Sequence, residues 1–112
     1  MTISKENREF IDSLIEYYIS ESQSYRQIAE NYLPEVESVS DTAFGIIAGC
    51  VYSGFLQAYQ NQQQSPSLED MKEFNMIIKE KAPLIKKSLL EKSDENSHPK
   101  LESPVENKSK SE

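Results

Sequence analysis

At 112 residues, with a net charge of −7, three glycines, one cysteine and one histidine, the chain has room for a single domain. It has no second cysteine for an intramolecular disulfide, and too few Gly and Pro to turn an all-β fold every ~8–12 residues. Residues 1–70 carry three basic side chains (Lys5, Arg8, Arg26) against eleven acids, and residues 71–112 nine lysines against eight acids. A phosphate backbone is repelled by the first part.

The first segment, about 4–33, reads as helix. Thr2 or Ser4 offers an N-cap oxygen, and Glu6 and Glu9 suit the positive helix end. Ile11, Tyr18, Tyr25 and Tyr32 recur seven apart, with Leu14 and Ile28 three after the first and third, which marks one apolar stripe. The stripe weakens at Ser20-Glu21-Ser22-Gln23-Ser24, so the spacing allows a bend or two helices there. Pro34 disfavours helical geometry at Leu33 and closes the element.

A polar connector, 34–40, leads to Ser40 or Asp41 as the N-cap of a second helix over about 41–63. From Ala43 to Leu56 there is no charge, and Phe44, Ile46, Ile47, Cys50, Val51, Phe55 and Leu56 point all ways around a helix. A helix apolar all round is one buried all round, or one in a membrane. Cys50, inside this run, reads as a small buried apolar residue rather than a reactive thiol.

Ser67-Leu68-Glu69-Asp70 follows Pro66 and opens a third helix, 67–92, with a capping-box pattern. Leu68, Met71, Phe74, Ile78, Ile85 and Leu89 fall at spacings of three, four and seven. Their phase holds across Pro83, which predicts a kinked continuation or a closely abutting fourth helix. From Ser93 the chain is Ser, Pro, Glu, Lys and Asn with only Leu101 and Val105 aliphatic. Such a segment lacks the apolar area to offset the entropy of ordering it. The expected fold is an all-α bundle of three to four helices over 1–92 with a disordered C-terminal tail over 93–112.

Catalytic chemistry has little to stand on. His98 lies in the tail, beside Pro99, where nothing holds it against a nucleophile or metal. Gly45, Gly49 and Gly54 are spaced four and five apart inside a helix and are no phosphate loop. Glu6, Glu9, Asp12 and Glu16 read as a solvated helix face, without the histidines of a di-metal bundle. The expectation is therefore no enzyme, no cofactor and no metal.

The Gly45-Ile46-Ile47-Ala48-Gly49 spacing, with Ser53 four residues on, makes a groove that a second helix could approach closely. A buried central helix needs about four neighbours, and the chain offers two or three. One side of the second helix is then left bare, and a bare apolar side marks a contact with another protein. The sequence thus points to a protein-interaction module, a homodimer in the first instance, with Gly45, Gly49, Ser53, Tyr17 and Tyr52 as interface candidates. Tyr17 is off the tyrosine stripe and free to make a contact, whereas the stripe tyrosines suit the core margin.

Two other readings belong to different classes. In one, 43–56 enters a membrane; but a span takes ~20 apolar residues, this run has fourteen, and no Lys or Arg lies within ten residues of either end. In the other, the lysines of 72–92 bind nucleic acid; six lysines there face three glutamates, as the wet side of an amphipathic helix also would. The N-terminus turns polar at once, without a secretory apolar stretch, so the expected compartment is cytoplasmic.

Overall fold

The computed structural model describes residues 2–90. Four helices follow in chain order: α1 Lys5–Ser20, α2 Ser22–Glu30, α3 Val39–Asn61 and α4 Leu68–Leu90. The fold is an all-α bundle. The expected tail over 93–112, and the last residues assigned to the third predicted helix, lie outside the described residues.

Between the two N-cap candidates the structure selects Ser4, whose Oγ accepts from Asn7 N–H at 3.1 Å. The predicted first helix is two. It breaks at Glu21, whose N–H is shared between the Tyr17 and Tyr18 carbonyls, within the polar run where the apolar stripe fades. That run has a structural use that sequence pattern alone did not disclose. Ser22 Oγ and Gln23 Nε2 donate to the Ser88 carbonyl at 3.2 and 3.1 Å, and Arg26 Nη1 to the Leu89 carbonyl at 3.0 Å. These three donors tie α2 to the last described turn of α4.

For α3 the cap is Ser38, not Ser40 or Asp41: Ser38 Oγ accepts from Asp41 N–H at 3.0 Å. The helix therefore begins two residues earlier than the sequence suggests, with Asp41 in its first turn. It ends in a Schellman arrangement, Gln63 N–H to the Gln60 carbonyl and Gln64 N–H to that of Tyr59, with Gln63 at φ 59° where glycine is usual. The capping box at the start of α4 is complete, since Ser67 Oγ accepts from Asp70 N–H and Asp70 Oδ2 from Ser67 N–H. Pro83 lies inside α4, which runs through it as one helix.

α1 and α2 form one broken rod, and with α3 and α4 they make a three-rod bundle. Ile11 and Ile15 of α1, Ala29 of α2, Ile47, Val51 and Phe55 of α3, and Phe74, Ile77, Ile85 and Leu89 of α4 fill the interior. Phe55 stacks on Phe74 with ring centroids 4.5 Å apart and planes at 21°. α3 runs antiparallel to both neighbours. Asn7 and Gln62 exchange side-chain amide hydrogen bonds at one end; Tyr59 meets Asp70 at that end, and Asp41 pairs with Lys86 at the other. The first residues are strapped to α4: Thr2 N–H and Ile3 N–H donate to Glu73 Oε1 at 2.8 and 3.1 Å, and the Ile3 side chain is buried.

Candidate interaction surface on the outer face of α3

The buried residues of α3 are Ala43, Ile47, Val51, Phe55 and Tyr59, every fourth residue along one stripe. On the opposite side lie Gly45, Gly49, Ser53, Gln57 and Gln60, all exposed, with Ile46 and Leu56 half-buried beside them. A Cβ placed on Gly45 or Gly49 would meet nothing within 4 Å. None of the four described helices packs against them. The third glycine differs: a Cβ on Gly54 would lie 2.5 Å from Leu14 Cδ1, so Gly54 is where α1 approaches α3.

In a three-rod bundle every rod has an outward side, and that side is normally polar. On α1 and α4 it is. On α3 it carries no charge between Asp41 and the helix end at Asn61. Only 22% of the most apolar 18-residue stretch of α3 is buried within the bundle.

The expected interface residues divide between two helices. Gly45, Gly49 and Ser53 share the outer stripe. Tyr52 stands at its α4 edge, 37% exposed, with its ring 5.6 Å from that of Phe74 and 6.3 Å from that of Phe55. Tyr17 belongs to α1, 55% exposed and edge-on to Tyr18 at 5.1 Å. Tyr18 in turn meets Cys50, which places the tyrosine pair along the α1 edge. Burial first, and then the Cys50 thiol beside it, pushes the Tyr18 hydroxyl above its ordinary pKa. Cys50 is half-buried rather than enclosed. Of the stripe tyrosines, Tyr18 and Tyr25 lie at the core margin and Tyr32 is exposed; Tyr32 falls beyond α2, where no helix carries it toward the core.

Phe10 belongs to the same surface and was not singled out from the sequence. It is exposed and, with Glu6, Glu9, Gly54, Gln57 and Asn61, lines a shallow groove between α1 and α3. Its signal was present, since Phe10 and Tyr17 are seven apart on a second stripe of α1. The α4 edge is lined differently. Lys72, Lys79 and Lys86 are seven apart on one side of α4, and the ion pair of Lys86 with Asp41 fixes that side toward α3. Asp41 is held below its ordinary pKa chiefly by the Lys86 hydrogen bond.

Away from this surface, two carboxylates serve the fold. Asp70 is held below the ordinary carboxylate range, first by the Thr2 hydroxyl, against its own burial, and then by Ser67 and Tyr59. The Thr2 hydroxyl has its own hydrogen bond to Glu73 Oε1, so Asp70 Oδ1 keeps no partner of hydrogen-bond geometry. Glu73 is lowered by the Ile3 and Thr2 N–H groups. Among the described residues no group of three or more His, Cys, Asp or Glu side chains is placed to hold a metal ion.

One expectation about membranes changes. The fourteen-residue uncharged run lies within a continuous 23-residue helix, which is long and apolar enough to cross a bilayer. Length by itself therefore no longer argues against insertion. No protein-family model, no curated protein and no solved structure matches the chain.

Proposed function

We propose that this chain is a non-enzymatic protein-interaction module that self-associates through the outer face of α3. One observation carries the reading: a helix apolar on both sides has one side in the core and the other uncovered. Water against Ile46, Tyr52, Leu56 and the adjoining Phe10 and Tyr17 is unfavourable, and covering a patch of this kind drives association. Gly45 and Gly49 favour a helical partner, because without side chains they admit a second backbone. Each costs roughly 1 kcal/mol of helix propensity against Ala, and no close approach among the described residues offsets that cost.

Light scattering after size exclusion, over a tenfold concentration range without detergent, tests this reading. A dimer is expected, and Gly49→Leu should convert it to a folded monomer, since the new side chain fills the space a partner needs and its Cβ meets nothing within 4 Å among the described residues. A monomeric natural chain, or an unchanged dimer in the variant, rules the reading out.

The length and exposure of α3 favour a second reading, attachment to a bilayer through the same face. Flotation with neutral phosphatidylcholine vesicles separates the two. A protein that stays monomeric without lipid and floats with vesicles is a membrane-associated one.

A further inference from the structure

Resting on the self-association proposed above, we infer that the two copies pack in parallel, with the two-fold axis along α3, so that the acidic α1 edge of each copy lies over the basic α4 edge of the other.

Symmetry limits the ways two such faces can meet, and charge selects among them. The uncovered face of α3 has α1 along one edge and α4 along the other. On the α1 side Gly54 touches Leu14, and Gln57 and Asn61 share a groove with Glu6, Glu9 and Phe10. On the α4 side Tyr52 packs on Phe74 and Asp41 pairs with Lys86. A two-fold contact is self-complementary, and only two axes within the contact plane bring this face against itself with the helices aligned. An axis across α3 makes the α3 pair antiparallel and lays α1 on α1 and α4 on α4. An axis along α3 makes the pair parallel and lays α1 on α4 in both places.

The edges decide between them. Glu6 and Glu9 on the α1 side are exposed, and neither has an ion-pair partner among the described residues. Lys72 and Lys79 on the α4 side are exposed as well, Lys72 only loosely paired with Glu69 at 4.0 Å. The antiparallel contact sets carboxylates on the carboxylate-bearing helix and lysines on the lysine-bearing one. The parallel contact lays the carboxylate-bearing edge over the lysine-bearing one, twice. The strip of α3 between them is uncharged and takes no side in the choice. The apolar face thus supplies the association, and the charged edges select its direction.

Spin-label distances test this in the full chain. Labels go on Thr42→Cys or Gln60→Cys in a Cys50→Ala background, at positions toward opposite ends of the outer face and about 27 Å apart along the helix. In the parallel dimer each label is nearer its own copy than the other site: the 42–42 and 60–60 distances are both shorter than the 42–60 distance measured in mixed dimers. A 42–60 distance shorter than the same-site pair would overturn the inference and leave self-association standing. A chain that stays monomeric removes both.

Charge reversal gives a second reading on unlabelled protein. Glu6→Lys with Glu9→Lys lowers the magnitude of the net charge, which by itself favours association. In the parallel dimer it nevertheless weakens dimerisation, by about tenfold at low salt. Lys72→Glu with Lys79→Glu weakens it too, and all four changes together restore it. Unchanged or tighter dimerisation of the Glu6/Glu9 variant would overturn the inference.

Discussion

The two sides of α3 are both free of charge between Asp41 and Asn61 and have different fates. Ala43, Ile47, Val51, Phe55 and Tyr59 descend into the bundle, where Phe55 stacks on Phe74 and the Tyr59 hydroxyl donates to Asp70 Oδ2 at 3.1 Å. Gly45, Ile46, Gly49, Ser53 and Leu56 lie on the other side, and a Cβ on either glycine would meet nothing within 4 Å among the described residues. Charge cannot separate these two sets, because neither carries any. What separates them is side-chain volume. The inner stripe carries branched and aromatic groups that fill a core. The outer one carries glycines and a serine, which fill nothing and leave room for a partner's backbone.

The largest expected contrast comes from truncating the inner side. Phe55→Ala removes a fully buried ring and should cost about 3–5 kcal/mol, as large-to-small changes in a close-packed core do. For a domain of this size each kcal/mol is ~4–8 °C in Tm, so a thermal melt decides it. A loss below about 1 kcal/mol would mean that the inner face is not the core.

A smaller effect separates the polar end of the inner face from its apolar middle. Tyr59→Phe removes the hydroxyl that donates to the buried Asp70 carboxylate, and a hydrogen bond to a charged group contributes about 1.5–3 kcal/mol. Its pH dependence has a definite sign. The pKa of Asp70 is lowered in the folded protein, so the stability from its ionised form is complete above the unfolded carboxylate value, ~3.9. That stability fades as the pH falls through the lowered folded value. The gap in Tm between the variant and the natural chain should therefore narrow between pH 5 and the acid limit of the fold (about 3 is low enough). A constant gap would show that the hydroxyl acts through packing and not through the charge.

The smallest contrast compares two glycines on the one helix. Gly49→Ala adds a methyl group where there is open space, and should stabilise the monomer by about 1 kcal/mol through helix propensity. Gly54→Ala gains the same propensity, but its methyl must push the Leu14 Cδ1 aside, so its gain should be the smaller of the two. The difference should show in urea melts at low protein concentration. Equal gains would mean that Leu14 swings away at no cost.

Much of this architecture is legible in the chain before it folds. Helix class follows from apolar spacing, from Ser67 and Asp70 as a reciprocal cap, and from the scarcity of Gly and Pro. The phase of apolar residues across Pro83 indicated that α4 could continue, and it does. Of the surface, the exposed position of Gly45 and Gly49 followed from counting neighbours: a helix apolar all round, in a chain with few others, has a bare side. The fading of the apolar stripe over 20–24 allowed the two helices that meet at Glu21. Local pattern did not reach the cap at Ser38, which turns on which of two nearby serines finds an unpaired backbone group, and neighbouring serines look alike in sequence.

Periodicity, capping chemistry and charge count are properties of residues close together in the chain, so the sequence by itself determined that this protein is a helical bundle with an apolar central helix. Contacts between residues far apart were decided only in three dimensions. These are Ser22, Gln23 and Arg26 bonded to the Ser88 and Leu89 carbonyls of α4, Thr2 and Ile3 held by Glu73, Leu14 filling the space beside Gly54, and Lys86 reaching Asp41. The last of these turns a stripe of lysines toward α3 and sets the acidic and basic edges on either side of its outer face. No local rule contains that placement, because it depends on how three rods pack around one another.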